Sequence, residues 1–289
     1  MLKLFAFDLD GTLLQEGRIR GRNREILQQI AKHHTLVLVS GRPLSSVQFL
    51  AEDAGLFAYS IGCNGAVAAD PMGEILFSHP MAPEAVEELL RIGERQGTYL
   101  HYYTADTFYS PYYWPERVEH LEAMAVPQGF FMQCNLHLMG LHETPMVHGV
   151  LKLQYTLPDD AAASAAVVKA VTQIPGIHHT YSGGGLLEAM APEVDKWQAV
   201  RHVADSLSIL PGDILAMGDY DNDAGMIEQA GVGVAMGNAP ERVQEKADFV
   251  TRTVDEDGAY YALEALRQDH QWNEAGEDPE GENHGHTSR

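Results

Sequence analysis

The stretch FDLDGTLL, residues 7–14, ends an apolar run with two aspartates one residue apart. The run before it, LKLFAF, has the apolar, β-rich character of a buried strand. Two carboxylates held close together repel each other, so Asp8 and Asp10 predict a partner for their charge. Ligands of open α/β sheets bind at the carboxyl ends of strands, and the residues after each strand are therefore the first candidates for a site.

Short strand-like runs alternate with helical patterns along most of the chain. The strand-like runs are LKLFAF, TLVLVS, LFAYSIG, DILAMG and GVGVAM, and the helical patterns cover residues 22–33, 43–53, 195–207 and 257–267. Several runs are apolar almost throughout, as strands covered on both faces should be. The alternation predicts an α/β fold whose core is an open, parallel, Rossmann-like sheet.

The alternation is interrupted between residues 81 and 184, which predicts an inserted α+β domain. The core would then be discontinuous, with residues 1–80 and 185–268. The segments HPMAP and SGGGL carry helix and strand breakers at the two borders, and we expect them to act as hinges. Residues 269–289 are polar and acidic, which predicts a disordered tail.

Composition narrows the class of protein. The chain has 289 residues, 45% of them hydrophobic, which suffices for a sizeable core. Its net charge of -22 would repel nucleic acid and anionic membrane, so neither is an expected partner. The absence of a signal-peptide pattern and the presence of only two cysteines predict a cytoplasmic protein.

Acidic residues follow two of the strands and predict a metal ion. Asp8 and Asp219, if adjacent, would be costly to hold ionised without a cation between them. Mg²⁺ takes oxygen ligands, commonly one or two carboxylates with substrate phosphate and water. A turn or helix cap would explain any one of these aspartates alone. The segment DYDNDAG is no calcium loop, because its glycine comes one place late and its twelfth position is Ala230.

Lys196 predicts an anion site, because a cation in the first turn of a helix opposes the helix dipole. Asp195 as N-cap would compensate part of this charge, and a bound phosphate would compensate more. Ser40, the last residue of the run TLVLVS, and the amide of Gly41 supply neutral donors for the same oxyanion. A solvated surface lysine is the simpler alternative for Lys196 taken alone.

These motifs resemble, in order and spacing, those of the haloacid dehalogenase superfamily of phosphotransferases. The matching stretches are FDLDGTLL, VLVSGRP, Lys196 and GDYDND. The further stretches IGCNGAVAAD, GVGVAMGNAPERVQEKADFVT and DEDGAYYALEAL look like its Cof-like branch. That branch carries a type IIB cap between the second and third motifs, so the resemblance identifies the inserted domain as a cap.

The resemblance implies a different task for each aspartate of the opening stretch. Asp8 would be the nucleophile that forms an aspartyl-phosphate, and Asp10 the general acid and base, with its main-chain carbonyl on the metal. Asp219 would be a further metal ligand. The remaining implied roles are a metal contact by Asp223 and phosphate binding by Gly11, Ser40, Gly41, Arg42, Lys196 and Asn222.

The cap contains two segments with suggestive side chains. HYYTADTFYSPYYWPERVEH concentrates aromatic rings, which either line a substrate pocket or, as we favour for most of them, form the core of the cap. CNLHLMGLHETPMVH contains Cys134, His137, His142 and His148, but their spacing matches no standard zinc pattern. We interpret them as loop and surface residues.

The sequence therefore predicts a Mg²⁺-dependent phosphatase of small phosphorylated metabolites, with sugar phosphates as the favoured class. A phosphomutase, which passes the phosphoryl group to a second hydroxyl, is one alternative. A phosphate-binding or regulatory protein without turnover is another, although such a protein has no need of an acid/base residue.

Overall fold

The computed structural model describes residues 1–110, 146–183 and 185–272, with the backbone of residues 137–138. The strands are β1 Leu4–Asp8, β2 Leu14–Gln15, β3 Arg18–Ile19, β4 Thr35–Val39, β5 Tyr59–Gly62, β6 Val67–Ala69, β7 Ile75–Ser78, β8 Leu100–Tyr103, β9 Phe108–Ser110, β10 His137–Leu138, β11 Lys152–Thr156, β12 His178–Tyr181, β13 Leu186–Met190, β14 Ile214–Gly218, β15 Val232–Ala235 and β16 Phe249–Val250. The α-helices are α1 Gly21–Ile30, α2 Leu44–Asp53, α3 Pro83–Gln96, α4 Ala161–Thr172, α5 Lys196–Ser206, α6 Ala224–Gln229, α7 Glu241–Gln244 and α8 Gly258–Gln268.

The larger sheet has eight strands in the order β16-β15-β14-β1-β4-β5-β6-β7. The strands from β16 to β5 pair in parallel, and β6 and β7 add an antiparallel edge. The prediction of an α/β fold with an open parallel sheet is confirmed. Because β14, β1 and β4 are neighbours, the loops that follow them meet at one edge of the sheet.

Strand β1 shows why this sheet is buried on both faces. Phe5 and Phe7 pack with residues of α1, α2 and α8, whereas Leu4 and Ala6 pack on the opposite face with residues of α5 and α6. Successive side chains of a strand point to opposite faces, so a strand between two helical layers must be apolar at every position. The apolar run LFAF, residues 4–7, meets this requirement.

The second sheet has the order β10-β9-β8-β11-β13-β12 and is antiparallel except between β9 and β10. Helices α3 and α4 cover one of its faces, where Val86 and Val167 pack with Tyr102, Leu153 and Leu187. The other face carries the alternate residues of the same strands, which are largely polar.

The strand pairing corrects one expected domain border. Strand β13, at Leu186–Met190, pairs with β11 and β12, so it belongs to the second sheet although it lies beyond residue 184. The described residues Gly183 and Gly185 of SGGGL therefore lie between the two strands of the β12–β13 hairpin and not at a hinge between domains. The chain returns to the larger sheet only after Met190. The division into a core and an inserted cap stays a prediction, with this border moved.

The expected disordered tail also begins too early. Helix α8 ends at Gln268, yet Trp272 is buried, with its Nε1 donating to the Leu263 carbonyl at 3.0 Å. Its ring meets Phe5 edge-on, with 5.9 Å between the ring centroids. An indole surrounded by apolar side chains belongs to the core. Residues 273–289 of the predicted tail lie outside the described residues.

Two cap predictions concern aromatic and metal-binding side chains. Tyr102 is buried beneath α3 and α4, as expected of a core residue, whereas Tyr103 and Phe108, which pair across β8 and β9, are buried on the opposite face of the sheet. Residues 111–120 of the aromatic segment, and Cys134, His142 and the side chain of His137, lie outside the described residues. Among the helices that the structure describes, none has the length and apolar character required to cross a membrane.

Trp272→Ala tests whether the end of the described chain is part of the core. Removing a buried tryptophan side chain leaves a cavity, so the free energy of unfolding should fall by about 3–5 kcal/mol. Gln271→Ala is the matched control, since the Gln271 side chain is exposed and such changes stay within about 0.5 kcal/mol. Equilibrium unfolding in urea measures both. Equal stability of the two variants would contradict the assignment.

Candidate active site

A buried lysine joins two carboxylates from neighbouring parts of the larger sheet. The Nζ atom of Lys196 donates to Asp8 Oδ1 at 2.5 Å and to Asp223 Oδ1 at 2.6 Å. Asp8 ends β1, Asp223 follows β14, and all three side chains are nearly inaccessible to solvent. A buried charge is tolerated when it is paired and hydrogen bonded, and this arrangement meets both conditions.

The position of Lys196 follows from the start of α5. Asp195 is the N-cap residue, and its side chain accepts from the backbone N–H of Gln198 at 2.8 Å. The ammonium of Lys196 opposes the helix dipole at this end. The carboxylates of Asp8 and Asp223 supply the compensating negative charge, so Lys196 is not the solvated lysine of the simpler alternative.

Asp219 lies beside this cluster and is held by residues from two other loops. Its Oδ1 accepts from the Thr12 hydroxyl at 3.2 Å, and its Oδ2 accepts from Asn238 at 3.3 Å. Asn238 also donates to the Gly11 carbonyl at 2.9 Å. Gly11 has a φ of 80°, and a Cβ at that position would overlap the Asp219 carboxylate. Only glycine therefore meets both constraints at this position.

Asp223 has a structural task in addition to its ion pair. Its Oδ2 accepts from the backbone N–H groups of Asp219 and Tyr220, each at 3.0 Å. Because Oδ1 is bonded to Lys196, both oxygens already have partners in the described structure. Asp223 thus shapes the turn that presents Asp219. A direct contact between Asp223 and a metal ion stays a prediction.

The Lys196 ammonium does not fully compensate the three neighbouring carboxylates, and the pKa values of two of them are raised. Burial, with the nearby Asp223 carboxylate, raises the pKa of Asp8 well above its usual value despite Lys196. Burial and Asp223 likewise raise the pKa of Asp219 to about 7. Burial lowers the pKa of Lys196, because it disfavours the charged ammonium. The neighbouring carboxylates of Asp223 and Asp8 outweigh this effect and raise the pKa above its usual value.

This shortage of positive charge suits a divalent cation. Oxygen atoms of Asp8, Asp219 and Asp223 all lie within 4.8 Å of one another. One lysine cannot neutralise three carboxylates, and the set of donors contains only oxygen, which hard divalent cations prefer. The aspartate triad could therefore hold a metal ion. Asp219 is a better placed ligand than Asp223, because its hydrogen bonds, at 3.2 and 3.3 Å, come from neutral side chains and are longer than those that Asp223 accepts from Lys196 and two backbone N–H groups.

Asp10, the second aspartate of the opening stretch, lies apart from the triad. Its two oxygens accept from Arg42 Nε and Nη2, both at 2.7 Å. Its side chain is 57% exposed, against 14% for that of Arg42. Desolvation raises the pKa of Asp10, but the Arg42 guanidinium outweighs it and holds the net pKa below the usual value. Arg42, predicted to bind phosphate, is thus paired with the predicted acid/base residue.

The other predicted phosphate contacts surround this pair. Ser40 begins the loop after β4, and its hydroxyl accepts from the Arg42 backbone N–H at 3.2 Å. Gly41 lies between them. Asn222 donates to Asn64 Oδ1 at 3.1 Å and so lies on the side of the site that faces the β5–β6 loop. The structure therefore brings the predicted residues to one edge of the sheet, whereas their roles stay predictions.

The second sheet turns a polar face toward this edge. His101 and Tyr103 of β8 and Lys152 and Gln154 of β11 are buried on it, with Glu188 of β13 beside them. Lys152 donates to Glu188 Oε1 at 2.5 Å. Glu188 also accepts from Asn64 of the larger sheet at 2.6 Å, so the two sheets are hydrogen bonded to each other here.

The sequence reasoning missed several residues of this region. They are Thr12, Asn64, Lys152, Glu188 and Asn238. Lys152 could have been identified from the sequence, because a lysine inside the apolar run VLKLQYTL predicts a buried charge with a partner. Its partner Glu188 lies 36 residues away, and sequence alone does not identify such a pair.

Comparison with known proteins agrees with this geometry. The family model of the haloacid dehalogenase-like hydrolases matches residues 5–263. The putative phosphatase YxeH of Bacillus subtilis is 28% identical over 92% of this chain and 98% of that protein. The HMP-PP phosphatase of Cronobacter sakazakii is 30% identical over 83% of this chain and 85% of that protein.

A solved structure extends the agreement to the fold. A subclass IIB sugar phosphatase of the same superfamily is similar with a TM-score of 0.76 over 92% of this chain and 99% of that chain, at 21% identity. The family model, which matches most of the chain, confirms the predicted family. The chain belongs to the haloacid dehalogenase-like hydrolases, and it is a phosphoric monoester hydrolase of the phosphatase type.

Proposed function

We propose that the protein is a Mg²⁺-dependent phosphatase of small phosphorylated metabolites, with sugar phosphates as the favoured class, acting through an aspartyl-phosphate. The observation that carries the proposal is the buried Asp8, held by Lys196 beside Asp219. A carboxylate fixed by an ion pair at a strand end can attack a phosphoryl group in line without first reorganising.

The residues of this chain divide the reaction between them. Asp8 attacks phosphorus, and the leaving oxygen departs with a proton from Asp10. Asp10 then takes a proton from the water that hydrolyses the phosphoenzyme. Lys196 stays beside Asp8 and compensates negative charge at the attacking carboxylate. Bound at Asp8 and Asp219, Mg²⁺ would supply a charge that offsets the repulsion between carboxylate and phosphoryl oxygens.

Arg42 adds a condition to the role of Asp10. In the described arrangement the guanidinium holds Asp10 ionised, which suits the step in which Asp10 accepts a proton. To donate a proton, Asp10 must exchange the Arg42 pair for a proton. A substrate phosphate is an anion that competes for Arg42, because a guanidinium binds phosphate and carboxylate with the same bidentate geometry.

The polar face of the second sheet supports a hydroxyl-rich substrate. His101, Gln154 and Lys152 present hydrogen-bonding groups to the edge where Asp8 and Asp10 lie. Sugar hydroxyls both donate and accept, so they can pair with the donor and acceptor atoms of Gln154 and His101 and can accept from the Lys152 ammonium. The related HMP-PP phosphatase and the structurally similar sugar phosphatase act on different compounds, so the class of substrate is decided by assay. The cytoplasmic location stays a prediction from the sequence.

A panel of phosphorylated metabolites, assayed for phosphate release with Mg²⁺, tests the proposal. Sugar phosphates should give the highest kcat/KM. Conversion of a substrate without release of phosphate would favour the phosphomutase alternative. Binding of phosphorylated compounds without any turnover would favour the binding-protein alternative.

Asp219→Asn tests the metal site through stability. Mg²⁺ at a hundredfold excess over its Kd should stabilise the wild-type protein by about 2.7 kcal/mol. This gain should be largely lost in Asp219→Asn and kept in Asp205→Asn, a surface aspartate that pairs with Arg201. Thermal unfolding with and without Mg²⁺ measures the effect. Equal gains in wild type and Asp219→Asn would exclude Asp219 as a ligand.

The same variant predicts a pH effect in the metal-free protein. The pKa of Asp219 is raised in the folded state, so the folded protein binds that proton more tightly than the unfolded chain does. The free energy of unfolding should therefore fall as pH rises toward and through about 7. Asp219→Asn should show a smaller fall in thermal unfolding scans across that range. An unchanged pH dependence would contradict this account.

Asp8→Asn and Asp10→Asn separate the two aspartates of the opening stretch. Asp8→Asn should form no phosphoenzyme. Asp10→Asn should turn over about 10² to 10⁴ times more slowly, since it lacks the acid/base group. With an aryl phosphate, whose leaving group needs no proton, Asp10→Asn should accumulate aspartyl-phosphate, detected as a mass increase that hydroxylamine removes. Accumulation of the aspartyl-phosphate in the Asp8 variant alone would show that the nucleophile and the acid/base residue are assigned the wrong way round.

A further inference from the structure

A chain of buried polar side chains runs from the second sheet into the larger one. Lys152 donates to Glu188 Oε1 at 2.5 Å, and Glu188 Oε2 accepts from Asn64 Nδ2 at 2.6 Å. Asn64 Oδ1 in turn accepts from Asn222 Nδ2 at 3.1 Å. Lys152, Glu188 and Asn64 are each at most 2% exposed. The reaction proposed above uses neither Glu188 nor Asn64.

This chain touches the loop that carries the predicted phosphate contacts. A Cβ placed on Gly41 would lie 3.0 Å from Asn64 Oδ1, 3.3 Å from Lys152 Nζ and 3.6 Å from Glu188 Oε1. The backbone N–H of Asn64 also donates to the Ser40 carbonyl at 3.0 Å. The polar chain therefore packs directly against the segment Ser40–Arg42, and Asn222 at its end is itself a predicted phosphate contact.

The backbone at Asn64 is as constrained as its side chain. Its φ of 57° is left-handed, a conformation that asparagine and glycine adopt more readily than other residues. At the next residue, Gly65, a Cβ would overlap the backbone carbonyl of Asp195, which caps the helix of Lys196. The Asn64 amide is thus held between the phosphate loop and the helix that carries Lys196.

The direction of the hydrogen bonds follows from Glu188. A carboxylate only accepts, so the group that Asn64 presents to it must be its NH₂. The oxygen of Asn64 then faces Asn222, which must present its own NH₂. One of the two N–H groups of Asn222 is used in this bond, and the amide plane is fixed. The second N–H is left to donate elsewhere.

We propose that Glu188 and Asn64 are positioning residues that orient Asn222 to donate its second N–H to the phosphate of the substrate. Glu188 comes from the second sheet, so the orientation of Asn222 depends on that sheet being seated on the larger one. The inference rests on the proposed function, because it concerns how that site binds phosphate. It adds residues from outside the four sequence motifs to the phosphate site.

Glu188→Gln changes one atom and should disturb the whole chain. Glutamine has a single acceptor oxygen, and the Lys152 ammonium, which only donates, requires it. The NH₂ of Gln would then face Asn64, whose amide must turn to present its oxygen. Asn222 would have to turn in the same way and withdraw its N–H groups. The polarity of the chain would be reversed without a change in its shape.

Asn64→Gly interrupts the chain by a different route. Glycine keeps the left-handed backbone, so the loop retains its path while the amide is removed. The ion pair between Lys152 and Glu188 stays intact in this variant. Glu87→Gln, on helix α3, is the matched control, since it removes an exposed ion pair with Arg91 by the same chemical change as Glu188→Gln.

Inorganic phosphate is the probe, titrated calorimetrically into wild type and variants in the presence of Mg²⁺. Losing a hydrogen bond to a charged group should weaken phosphate binding about tenfold or more in Asn64→Gly and in Glu188→Gln. KM should rise by a similar factor with kcat within about threefold of wild type, as for a loss of uniform binding. Glu87→Gln should match wild type in each measurement.

A folded Asn64→Gly protein, shown by a cooperative unfolding transition, that binds phosphate as tightly as wild type would overturn the inference. So would a loss confined to stability, because a purely structural chain would lower the unfolding midpoint and leave phosphate affinity unchanged. Failure of the proposed function would look different. The wild-type protein would then release no phosphate from any monoester, while the calorimetric comparison still decides the role of Asn64.

Discussion

The ion pairs of the buried Lys196 ammonium are the interaction on which the site depends. They join Asp8 at the end of β1 to Asp223 after β14, two strands that are neighbours in the larger sheet. Removing one partner of such a group leaves a buried charge without compensation, which is strongly unfavourable. The same lysine is too little for three carboxylates, so the raised pKa values of Asp8 and Asp219 remain. The same group of charges, Lys196 with its neighbouring carboxylates, therefore holds the two strand ends together and leaves excess negative charge that a cation could compensate.

The order of the strands decides which loops lie close to the Lys196 ammonium and its carboxylate partners. With β14, β1, β4 and β5 side by side, the segments that follow them meet at one edge although they are far apart in the chain. The second sheet closes over that edge with its polar face and contributes Glu188 to a hydrogen bond with Asn64. A site built from two sheets can bind one end of a substrate rigidly and select the other end by different side chains.

The two corrections to the sequence interpretation have a common cause. The composition of SGGGL predicts a hinge, but Gly183 and Gly185 lie between two strands of a hairpin whose second strand, β13, belongs to the second sheet. The polar neighbours of Trp272 predict a disordered tail, but its ring contacts that of Phe5 in strand β1. Local composition indicates where a chain turns or becomes polar. It does not indicate which distant strand or ring supplies the partner.

The sequence by itself determined the fold class and the main residues of the candidate site. Nearly continuous runs of apolar residues, which a sheet covered on both faces requires, and polar groups at the ends of those runs are local properties of the chain. The partners were decided only by the tertiary structure. Arg42 pairs with Asp10. Both oxygens of Asp223 accept hydrogen bonds, one from Lys196 and the other from backbone N–H groups of its own turn. Glu188 accepts from Asn64, which lies 124 residues away in the sequence. Hydrogen bonds and ion pairs act over about 3 Å in space, and strand register, not sequence spacing, brings such groups that close.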